Sequence, residues 1–184
     1  MRTVVIGVAS VVVLLVLAAI AVPNLTGSRI ASNETSAIAS VLIIQAGQAT
    51  FRKADYYGVG EGVYANERDG NGIVDLYELP DGKRMGLIDR SLAMAITGER
   101  PKAGYYVVAA IGGEARTQFA VCAAPASFGK SARNVFYTDE SGTVYQIAAE
   151  WVYPGICPGD RVPPITRRLT EEQLSTGWIA VGDG

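Results

Sequence analysis

Few side chains in this 184-residue chain are of types that carry chemistry, and their spacing limits what they can do. There is no histidine, so acid–base work would fall to carboxylates, and Glu61, Glu67, Asp69, Asp75 and Glu78 crowd one stretch where an acid and a base could pair. Acidic residues in a glycine-rich loop are ordinarily just solvated, and no enzyme is expected here. Within the same stretch Asp69, Asn71 and Asp75 set oxygen atoms at alternating positions on a loop bent by Gly70 and Gly72, a partial calcium pattern. Ile73 and Val74 stand where an EF-hand loop needs a ligand and a glycine, and an Asx turn explains the same residues. No cofactor is expected, and calcium is the open case.

Two other stretches imitate catalytic motifs. Ser127-Phe128-Gly129-Lys130-Ser131 ends like a phosphate-binding loop, and its first four residues fit Ser-x-x-Lys. Pro125 removes a backbone donor, the leading glycine is missing and no helix pattern follows, so neither chemistry is expected. Cys122 and Cys157 lie far apart and in no metal-ligand spacing. If the chain is exported, a Cys122–Cys157 disulfide is the expectation, closing a loop worth about 3–4 kcal/mol. Two buried free thiols are the alternative.

The elements that must position these residues begin with a run of twenty, from Thr3 to Val22, that carries no charge. A helix of that length spans roughly 30 Å, the thickness of a bilayer's hydrocarbon core. Ala19-Ile20-Ala21 formally supplies a signal-cleavage site, but the run is longer than a signal core and the helix pattern continues across it. A soluble helix this oily would need covering on every side, which a small domain cannot do. A membrane anchor is the expectation. Arg2 is weakly outweighed by Arg29, Arg52 and Lys53 beyond the span, and the cysteines favour an amino terminus inside.

From Leu25 to Lys53 the helix pattern continues as an amphipathic half: Ile30, Ala37, Ile38, Val41, Leu42, Ile44, Ala49 and Phe51 recur at three- and four-residue intervals. Pro23, at the boundary between the halves, deletes one backbone hydrogen bond and marks a kink position. Gly7, Ala18, Ala19 and Ala21 are small enough to let helices approach closely.

Ala18-Ala19-Ile20-Ala21-Val22-Pro23-Asn24-Leu25, with Arg29, Asn33, Glu34 and Ser36-Ala37-Ile38-Ala39-Ser40, resembles the N-terminal helix of type IV pilins and type II secretion pseudopilins. The resemblance is close over the first third of the chain and loose beyond. It implies a subunit held by its apolar half in the bacterial inner membrane, headpiece in the periplasm, that later bundles with itself or with other pilin-like subunits in a pilus or pseudopilus, in contact with an assembly platform. The family's basic leader ending in glycine is not among these residues, and whether one is cleaved upstream of Met1 is left open. The family usually places a glutamate where this chain has Ile6, which directs the expectation to a minor or pilin-like subunit.

Beyond the helix, Tyr105–Ile111, Thr117–Ala124, Asn134–Thr138 and Thr143–Ile147 read as strands, the last two joined by a hairpin turn at Asp139-Glu140-Ser141-Gly142. Similar runs occur in pseudopilin-like headpieces. The expected fold is α+β and pilin-like: a long N-terminal helix on an antiparallel meander of about four strands, one face taking the amphipathic half. The chain divides into a helix over 1–53 with its span at 3–22, a headpiece over 54–157 and a tail over 158–184, in which Thr170–Leu174 forms a turn or two of helix. Apolar residues make up 49% and charged residues 18%, an ordinary globular balance once the anchor is set aside. A net charge of −2 gives nucleic acid no electrostatic purchase, so none is expected as a partner. The alternative function is a monomeric, membrane-tethered binding domain with Tyr56, Tyr57, Tyr64 and Tyr77 around its ligand.

Overall fold

The computed structural model describes residues 2–59, 62–65, 73–96, 100–112 and 117–182; in the first helix it describes side chains at 15, 19 and from 22 on, and in the first strand only through 109. The fold is α+β. One long helix, α1 (Arg2–Ala54), lies against one face of a five-stranded antiparallel sheet, β1 (Tyr105–Gly112), β2 (Gln118–Pro125), β3 (Asn134–Asp139), β4 (Val144–Ala148) and β5 (Ile179–Ala180), whose spatial order follows the chain. Three short helices complete it: α2 (Arg90–Ala93), α3 (Ala149–Val152) and α4 (Glu171–Ser175).

At 53 residues α1 is about 80 Å long. It runs unbroken through Pro23, whose missing N–H leaves the Ala19 carbonyl without its usual donor, while Thr26 Oγ1 donates to the Val22 carbonyl at 3.1 Å. Arg52 and Lys53 sit in the last turn, favourable against the helix dipole, and Asp55 ends the helix in the left-handed region at φ 46°. The buried stripe is Ile30, Ala37, Ser40, Val41, Ile44, Gln48 and Phe51. Leu42 and Ala49 face outward, so the apolar stripe read from the sequence was too broad, and Gln48 is completely enclosed.

That stripe meets Tyr105, Val107, Phe119, Val121, Ala123, Phe136 and Val144 on the inner face of the sheet. Turns over 73–77 and the short α2, capped by Asp89, add Ile73, Leu76, Leu79, Ile88 and Leu92 to the same core. The hairpin at 139–142 closes with Gly142 at φ 88° and Asp139 Oδ1 accepting from the Ser141 N–H at 2.9 Å.

The stretch read as a tail does structural work. Its Val162, Ile165, Leu169 and Trp178 cover the outer face of the sheet, against Tyr106, Cys122, Val135, Tyr137 and Ile147, and its β5 joins the sheet's edge as a fifth strand beyond the expected four. Backbone bonds hold it down: Phe128 N to Asp160 O and Gly159 N to Phe128 O, both 2.7 Å, and Val162 N to Pro125 O at 3.1 Å. A capping box between Thr170 and Gln173 starts α4.

The expected Cys122–Cys157 disulfide is corrected, because both cysteines are free. Cys122 is buried under the outer-face cover, its sulfur accepting from the Ile165 N–H at 3.3 Å, whereas Cys157 lies in an exposed turn with its thiol directed at the Gly155 carbonyl. Burial pushes the Cys122 thiol up to about 12. Since the thiolate is the nucleophile, native protein treated with iodoacetamide at mildly alkaline pH should take one label, at Cys157, and protein denatured without reductant should take two. Mass spectrometry that finds neither residue labelled after denaturation would refute the free-thiol arrangement.

Candidate functional site

The feature with most to explain is the half of α1 that the headpiece leaves bare. Every side chain described between Leu15 and Arg29 is exposed, and Leu15, Val22 and Leu25 are 60–69% open; cover begins only at Ile30, at 8%. Residues 2–29 would extend about 42 Å at the rise of an α-helix. Large apolar side chains on a rod of that length lose hydrophobic stabilisation for as long as they face water, at roughly 25 cal/mol per Å².

Where the rod meets the headpiece it is clasped by polar groups. Glu34 Oε1 accepts from the backbone N–H groups of Arg133 and Asn134, at 3.0 and 3.1 Å, and Glu34 Oε2 accepts from Asn134 Nδ2 at 3.3 Å. One residue earlier, Asn33 Nδ2 donates to the Ser131 carbonyl at 2.7 Å. These two residues carry part of the family resemblance, and both bind the start of β3 to α1. A cleft of about 630 Å³ opens under the clasp, between Pro23, Thr26, Gly27 and Ile30 on one side and Arg133 on the other. Farther along, Gln48 exchanges two bonds with the Ala65 backbone, at 2.9 and 3.4 Å, and Arg52 Nε donates to the Gly62 carbonyl at 2.8 Å. The second half of α1 is thereby fixed to the headpiece along its length, whereas the side chains described between Leu15 and Arg29 are exposed.

Of the small residues expected to serve assembly, Ala19 is exposed, and the side chains of Gly7, Ala18 and Ala21 lie outside the described residues. The span read at 3–22 also falls largely on side chains outside them; among the described residues no helix is long and apolar enough to cross a membrane. Asp69 and Asn71 of the calcium pattern, with Glu61 and Glu67, likewise lie outside. Asp75 is enclosed in the core and accepts from the Tyr57 hydroxyl at 2.8 Å, and among the described residues no group of three or more acidic, cysteine or histidine side chains converges.

The remaining sequence candidates have structural partners. The Ser131 hydroxyl sits 2.9 Å from the Ser127 carbonyl and 3.0 Å from the Gly104 carbonyl, and accepts from the Ser127 N–H, so this loop folds on itself. Tyr56 and Tyr57 pack their rings on Phe51, Tyr64 packs on Phe119 under the Arg52 guanidinium, and Tyr77 lies beneath that of Arg84. Tyr64 is buried in the core, and Tyr56, Tyr57 and Tyr77 are partly buried against it. No family model, curated protein or solved structure matches the chain.

Proposed function

We propose that this chain is a pilin-like structural subunit, held in the bacterial inner membrane by the apolar half of α1 and able to leave it sideways to stack that half against copies or relatives in a type IV pilus or secretion pseudopilus. The observation carrying this reading is the division of labour within α1: from Ile30 on, one face is buried on its own sheet, while the described side chains from Leu15 to Arg29 are uncovered and include three large apolar ones. The likeness of residues 18–40 to the N-terminal helix of pilins and pseudopilins supports it independently. Lipid tails and neighbouring helices are comparably apolar, so transfer from bilayer to bundle costs little hydrophobic free energy, and close packing at small residues decides the balance. Ile6, where the family usually has a glutamate, favours a minor position in the filament.

Cysteine placed at Ala19 in a Cys157→Ser background tests this. Oxidation of native membranes or of sheared surface fractions should give a disulfide-linked species containing two subunits, abolished by reductant. Monomer alone in both fractions, with the headpiece still folded and with no larger adduct when a thiol-to-amine cross-linker is used at the same cysteine to reach unlike neighbours, would overturn the assembly reading and leave a solitary anchor.

A further inference from the structure

On the face of the sheet opposite α1, the covering segment and the end of β4 enclose a groove of about 540 Å³, a size that suits a small ligand. Its walls include the chain's two tryptophans, with Tyr153 and Ile165 between them. Trp178 is set by an edge contact with Tyr137, ring centroids 5.8 Å apart, whereas Trp151 on α3 is 75% exposed. Exposing that much indole to water is unfavourable unless a ring is laid on it.

Two side chains in the groove offer donors. Gln173 has its amide oxygen committed to the Thr170 N–H at 3.0 Å, which orients the side chain and leaves its NH₂ to donate. Arg167 is exposed and makes no ion pair among the described residues, unlike neighbouring Arg168, which pairs with Glu140 at 2.8 Å. No acidic residue lines the groove. Flat aromatic faces match the C–H faces of a pyranose, the amide matches its hydroxyls, and an unpaired guanidinium matches a carboxylate.

We infer that this groove is a binding site for an acidic saccharide, a carboxylate-bearing pyranose stacked on Trp151 and Trp178 and paired with Arg167. The site is independent of filament assembly. Its position across the sheet from α1 leaves it open when that helix is bundled.

Because both tryptophans lie in the groove, the intrinsic tryptophan fluorescence of the full chain in detergent micelles reports on this site alone. Titration with trigalacturonate should give a saturable change, with galactotriose at least about tenfold weaker. Arg167→Gln should abolish that preference, and Trp151→Ala should weaken both sugars by about fivefold or more while the far-ultraviolet circular dichroism is unchanged, Trp151 being too exposed to hold the fold together. No saturable change with trigalacturonate, equal affinity for the neutral sugar, or a preference that survives Arg167→Gln would overturn the assignment.

Discussion

Phe51→Ala lowers the unfolding free energy by about 3–5 kcal/mol, the range for truncating a buried aromatic residue. Phe51 is wholly enclosed, with the rings of Tyr56 and Tyr57 at 5.4 and 4.8 Å. It sits one turn from the end of α1, so it locks the last turns of a very long helix to the loop that follows. The void cannot close by a shift of one neighbour, since α1 is held on either side by Gln48 and Arg52. Urea unfolding of the full chain in micelles, followed by near-ultraviolet circular dichroism, measures the loss. A cost below about 1 kcal/mol would mean that α1 is not docked to the headpiece as described.

Gly104→Ala costs about 2–4 kcal/mol, for two reasons that add. Gly104 is at φ 73°, a left-handed conformation that penalises any Cβ by about 1–2 kcal/mol. The new methyl would also stand 2.7 Å from Ser131 Cβ and 3.1 Å from Asn33 Nδ2, so it would press on the loop that Asn33 binds to α1. The turn is tight, with Lys102 and Tyr105 exchanging backbone bonds at 2.8 and 2.9 Å across two positive-φ residues. Its other central residue, Ala103, is already at φ 46°, and Ala103→Asn, better suited to that region, should raise stability in the same unfolding experiment. A Gly104→Ala cost no larger than the about 1–2 kcal/mol of the left-handed backbone alone would exclude steric pressure at Ser131 as a cause.

Much of the architecture can be read from residue types. The long helix, the apolar spacing after Pro23 and the hairpin at 139–142 each rest on a local rule, and all three are present in the fold, although the packed stripe is narrower than its spacing predicts. What is not readable is how residues 158–182 bind. They carry four residues of a cover, Val162, Ile165, Leu169 and Trp178, with no regular period, and they are tethered by backbone bonds to a loop distant in sequence. One trace of that cover is in the sequence: residues 119–124 run apolar without alternation, and β2 is in fact buried at seven of its eight positions, as expected of a strand covered on both faces. The same cover explains why the cysteine pairing fails, since Cys122 points into it and Cys157 does not. Gln48 shows the opposite difficulty. A glutamine within a helix reads as solvent-facing until its partner, the Ala65 backbone, is known. The aromatic groove was invisible for a related reason: Trp151 and Trp178 are 27 positions apart and line one groove only because β5 returns to the edge of β4.

That return sets a schedule. Residues 158–182 are the last to be made, so until they are laid down the outer side of the sheet, with Tyr106, Cys122, Val135 and Tyr137, lacks its cover. A chain that stops short of residue 158 would keep that side of the sheet open to water.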